Sequence, residues 1–146
     1  MNRIISGVLV DVSLVDRSGR ILELYWHDGR YVVEAVDLME YRIKVQNRTG
    51  NRVEVLTAVD GMNTLKKEIA DVYRNRGMVI GPYLLYDVTG WRIDDTQTRP
   101  FVFTVVDEET VAKQVTGSAT NLGVIAVAVY REYKVQRLNN LRGAQA

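Results

Sequence analysis

Cysteine is missing from the 146-residue sequence, and histidine occurs once, at position 27. The first absence excludes a disulfide scaffold, a thiol nucleophile and any zinc site built on thiolates, and it suits a reducing compartment. The second leaves acid–base chemistry with a single imidazole. Charge of one sign is also lacking: 19 Lys and Arg face 18 Asp and Glu, for a net charge of +1. Such balance argues against binding nucleic acid or a membrane surface through overall charge. No apolar run reaches the roughly 20 residues that a membrane span needs. The motifs G-x-x-x-x-G-K-[ST], G-x-G-x-x-G and G-x-S-x-G are absent too, so phosphate cradles and the nucleophile elbow find no support.

What is present is ordinary globular composition, 47% hydrophobic and 25% charged, in a length that suits one domain with its own core. The opening MNRIISGVLVDV has the look of a signal peptide, but Asp11 breaks its apolar run. Alternation through Val8, Val10, Val12 and Leu14 reads instead as a strand over residues 4–15, with no export signal. Asp16-Arg17-Ser18-Gly19 turns the chain. Strands over Ile21–Trp26 and Tyr31–Val36 follow, joined by the hairpin dipeptide Asp28-Gly29.

The clearest alternation is Tyr41, Ile43, Val45 against Arg42, Lys44, Gln46. It continues through Val53, Val55, Thr57 and Val59 after a turn at Thr49-Gly50, and the spacing predicts a hairpin. At Leu65 the period changes: Leu65, Ile69, Val72 and Tyr73 fall at helical spacing, with Asn63 or Thr64 as cap and Gly77 as stop, so a short amphipathic helix is expected. Asp60-Gly61-Met62-Asn63 reads as a turn. Met78–Ile80, Tyr83–Val88 and Phe101–Val106 are further strands, and Asp107–Val115 has helical character, with its acidic residues at the favourable end of a dipole. The run GVIAVAVYREY, apolar on both faces, reads as a central strand covered on both sides.

Seven to nine short strands with turn residues between them predict an all-β fold, an antiparallel β-sandwich of jelly-roll type with one or two short helices in its connections. Residues 1–133 form one sandwich domain, with a strand meander over 1–38 and a core over 39–133. Residues 134–146 are a C-terminal arm. Such a tail frays unless a neighbouring chain holds it.

Candidate chemistry is sparse. His27 beside Asp28 lacks a third partner at any suggestive spacing and reads as a surface histidine. Asp94-Asp95 and Asp107-Glu108-Glu109 would serve as an acid–base pair or a calcium site only if one of each met in a cleft, and no ligand spacing is present. The sequon Asn47-Arg48-Thr49 has meaning only in a secreted chain. Trp26 and Trp91, with nearby tyrosines, are the candidates for an exposed carbohydrate- or ligand-binding platform.

From Tyr41 to Glu132 the segments YRIKVQNRTGNRVEV, AVDGMN, the GPY turn, TGWR, FVFT and GVIAVAVYRE resemble, in the same order, a family of uncharacterised bacterial β-rich proteins. The resemblance implies a β-rich module and no assigned activity. Residues 64–76 depart from the family pattern.

No catalytic, cofactor or metal residue is therefore expected. The function that fits is a non-enzymatic structural protein, by fold-level analogy a capsid decoration or cement protein of a tailed-phage virion, assembled in the host cytoplasm. Its partners would be itself, as a dimer or trimer, and a major capsid or other virion protein, with no nucleic acid and no membrane. Lys134, Arg137, Leu138, Leu141 and Arg142 of the arm are the expected contacts. The alternative is the ligand-binding sandwich using Trp26 and Trp91.

Overall fold

Two long strands, β5 (Glu40–Asn47), whose burial alternates strictly, and β6 (Val53–Val59), buried at almost every position, are the spines of two antiparallel sheets. Tyr41, Ile43 and Val45 point inward from β5, as Val53, Val55 and Val59 do from β6, and all six are buried in one cluster. The computed structural model describes residues 2–66, 68–73, 75–104 and 122–132.

Each spine has one long partner and one shared edge. Along β5 the long partner is β2 (Val10–Asp16), and the other edge is divided between β9 (Leu85–Val88) and β12 (Phe101–Val102). Along β6 the long partner is β13 (Ile125–Arg131), and the other edge is divided between β8 (Met78–Ile80) and β7 (Met62–Asn63). β1 (Ile5–Ser6) extends the first sheet beyond β2. Two small ribbons complete the described strands: β3 (Leu24–His27) with β4 (Arg30–Val33), and β10 (Trp91–Arg92) with β11 (Thr98–Arg99). The fold is thus all-β and antiparallel, a sandwich in which apolar side chains of both sheets share one core. The described strands do not complete a jelly roll.

Several expectations are corrected. Residues 4–15 are two strands, because the chain reverses after Gly7, whose N–H bonds to the Val10 carbonyl; Val8 sits exposed at the tip. Tyr41–Val59 is no hairpin. β5 and β6 are not paired, and the Thr49-Gly50 connection carries the chain from one sheet to the other. The turns at Asp28-Gly29 and Asp60-Gly61 each have two successive positive φ angles, 49° and 76°, then 55° and 77°, the type I′ geometry that folds a strand back on itself. Neither Thr49 nor Gly50 has one.

Among the described residues from Leu65 to Gly77 the expected helix does not form. Asn63 Oδ1 takes the Leu65 N–H, Asp71 Oδ1 takes the Tyr73 N–H, and Asn75 Oδ1 takes the Asp71 N–H, so short polar side chains hold the backbone in turns. Ile69, Val72 and Tyr73 consequently point to solvent. The helix expected at 107–115 lies outside the described residues.

Finally, the described part of GVIAVAVYREY lies at a sheet edge among the described residues. Among the described residues β13 pairs with β6 alone, and Ile125, Val127 and Val129 pack on the core while Ala126 is exposed. An alanine methyl gains little from burial, so a run of alternating large and small apolar residues needs only one covered face.

Candidate functional site

Among the described residues the β3–β4 ribbon makes its hydrogen-bond ladder only with itself, joined to the rest by an isolated bridge between Leu24 and Asn2. Its register pairs Leu24 with Val33, Tyr25 with Val32, Trp26 with Tyr31 and His27 with Arg30. Period-2 geometry puts Leu24, Trp26, Tyr31 and Val33 on one face and Tyr25 and Val32 on the other. Leu24 is buried and anchors the base, whereas Trp26 is 65% exposed and meets Tyr31 edge-on at a centroid distance of 4.9 Å. Tyr25 and Val32 are also exposed, so both faces of the ribbon present apolar surface to water.

His27 Nε2 lies 3.2 Å from Asp28 Oδ2 at the exposed tip, with no third group completing a relay. Trp91 is elsewhere. It is buried, edge-on to Phe101 at 5.2 Å, and Gly90 before it lies so close to Arg99 that a Cβ would overlap the Arg99 carbonyl. The expected joint platform of Trp26 and Trp91 is therefore not formed, because the second ring fills the core.

Beneath the ribbon lies a cavity of about 680 Å³, bounded by the ribbon, the first sheet and the start of β13. Val12, Leu14, Val33, Phe103 and Val127 supply apolar wall. Its polar lining includes Asp60 and Tyr41, with Ser13, Arg30 and Thr104. Asp60 is positioned by its type I′ turn: its N–H donates to the Val124 carbonyl at 2.9 Å, and its Oδ1 accepts the Gly123 N–H at 2.7 Å. Burial holds its carboxyl above the ordinary carboxylate range, with the Gly123 bond opposing. Tyr41 is 4% exposed and stacked on Phe103 at 4.3 Å and Phe101 at 5.4 Å. Burial, and secondly the Asp60 charge, push the phenol above its usual value.

Asp94 and Asp95 are occupied structurally. Asp94 Oδ1 accepts the N–H groups of Thr96 and Gln97 and the Thr96 hydroxyl, and Thr96's backbone N–H is the main cause of its lowered pKa. Asp95 pairs with Arg92 at 2.9 Å. Residues 107–109 lie outside the described residues, as do the arm positions Lys134, Arg137, Leu138, Leu141 and Arg142. Among the described residues no group of three His, Asp or Glu could hold a metal ion, and no helix is long and apolar enough to cross a membrane.

The sequon is structural. Asn47 is fully buried; its Nδ2 donates to the carbonyls of Asn51, Ile80 and Gly81, and its Oδ1 accepts from the Thr49 N–H and hydroxyl. Alternation put Tyr41 inward from sequence alone, but no local signal marked Asp60 as more than a turn residue. Neither a family model, nor a curated protein, nor a solved structure matches this chain.

Proposed function

We propose that this chain is a non-enzymatic assembly protein that associates with itself and with neighbouring subunits, in the manner of a decoration or cement protein on a tailed-phage virion. The observation that carries the reading is the β3–β4 ribbon, a self-paired hairpin with Trp26 and Tyr31 exposed on one face and Tyr25 and Val32 on the other. Aromatic side chains exposed to water are the residue types that dominate interface energetics. The near-neutral charge suits contacts between proteins better than contacts with a polyanion. The glycan-platform alternative loses its second ring with Trp91 in the core.

Light scattering of the full chain tests this, with the wild type beside Trp26→Ser/Tyr31→Ser. The expected result is a dimer or trimer that the double substitution converts to monomer without a change in circular dichroism. A wild-type monomer across the accessible concentration range removes self-association from the function.

A further inference from the structure

We propose that the cavity under the β3–β4 ribbon binds a small, largely apolar organic molecule whose head group donates a hydrogen bond, a hydroxyl or an ammonium, to Asp60 beside Tyr41. The volume of about 680 Å³ is within the range of small-molecule sites, and the character is theirs too: apolar walls with a few convergent polar groups.

Tyr41 supplies the second polar group. It is 4% exposed and lines the cavity. Its ring is fixed by stacking on Phe101 and Phe103, so the hydroxyl cannot swing out to solvent without undoing that packing.

The chemistry of the pair selects the head group. An ionised Asp60 only accepts hydrogen bonds, and its Oδ1 already takes the Gly123 N–H. A phenol both donates and accepts. A hydroxyl head can donate to Asp60 and accept from Tyr41 at once, and an ammonium can donate to both oxygens. A carboxylate head meets the Asp60 charge with its own. Arg30 lines the cavity from the exposed end of the ribbon, where solvent screens the attraction it could offer an anion.

Calorimetric titration of the full chain with three probes of one body decides the matter: 4-phenylbutan-1-ol, 4-phenylbutylamine and 4-phenylbutyrate. The alcohol and the amine are expected to bind at one site per chain, each roughly tenfold or more tighter than the carboxylate, since one unmatched charge or hydrogen bond is worth at least that factor. Asp60→Asn keeps the turn, because Asn tolerates positive φ, and keeps an acceptor for Gly123, so it folds while abolishing the preference for amine over carboxylate. Tyr41→Phe keeps the stacked rings and weakens the alcohol severalfold. Circular dichroism of both variants checks the fold, and a ligand-induced rise in the thermal midpoint of the wild type is the second readout. No binding of any probe to the wild type overturns the proposal. Equal binding of the carboxylate, or an unchanged order of affinities in Asp60→Asn, overturns it as well.

Discussion

Asn47 Nδ2 donates to the Gly81 carbonyl oxygen at 2.9 Å, and through that bond the two connections that leave the first sheet for the second and return from it are tied together. The same amide reaches the Ile80 and Asn51 carbonyls, and the Tyr83 N–H closes the link by donating to the Thr49 carbonyl. The adjoining crossings of β5 to β6 and of β8 to β9 thus share one buried side chain.

Replacing that side chain is expected to be costly. Asn47→Ala removes the amide donor to the Asn51, Ile80 and Gly81 carbonyls and the acceptor of the Thr49 N–H, a loss of about 3 kcal/mol in denaturant unfolding. Asn47→Asp preserves the acceptor for Thr49 but turns a second oxygen toward the three carbonyls, and should cost as much or more. Equal stability of Asn47→Asp and wild type would show that the three donated bonds carry no weight.

Glycines give a graded comparison. At Gly90 a Cβ would overlap the Arg99 carbonyl, and at Gly77 the Val55 carbonyl, both backbone atoms within strands or beside them. Gly90→Ala and Gly77→Ala are expected to lose about 3 kcal/mol or more. Gly50→Ala meets only the Tyr83 hydroxyl at an ordinary 3.4 Å and should stay within about 0.5 kcal/mol of wild type. Unfolding midpoints of the three variants check the order.

Inside the core, the Thr57 and Thr64 hydroxyls lie 2.6 Å apart, both buried. Thr57→Val alone strands the Thr64 hydroxyl, and the reverse holds for Thr64→Val, so each single change should cost about 1–2 kcal/mol. The double change removes both polar groups together and should cost less than the two singles combined. A double-mutant cycle with no coupling between the sites would contradict this.

Asp60 makes a pH-dependent contribution of a definite sign. Its folded pKa is raised by burial, so between the unfolded value of about 3.9 and its own folded value the native state holds a proton that the unfolded state has released. Stability from this group is present below that window and is lost as pH rises through it. Asp60→Asn should therefore match wild type at about pH 3 and gain on it toward neutrality. A stability difference independent of pH would show that burial does not penalise the Asp60 charge.

Much of the architecture was written locally. The inward set of β5 follows from the Tyr41, Ile43, Val45 alternation, and Asp28-Gly29 marks its turn because only such residues accept two successive positive φ angles. Alternation assigns a face but not a sheet, however, and so β5 and β6 looked like a hairpin when they stand in opposite layers. Helical spacing from Leu65 to Tyr73 misled for a different reason: Asn63, Asp71 and Asn75 offer the backbone local bonds that one or two helical turns cannot outweigh. The cavity was not legible, because its walls come from strands remote in sequence, and Asp60 and Gly123 meet only in the fold.

The pairing of β6 with β13 sets an order of events. Val53 lies beside Arg131 and Val59 beside Ile125, so a chain made from its N-terminus can complete β2 against β5 long before the longest partner of β6 has been synthesised. Until then the short β7 and β8 cover one edge of β6, and the edge that will take β13 stands open. Closing so long a loop makes folding slow, and the nascent chain spends that interval with an unpaired apolar strand open to other chains.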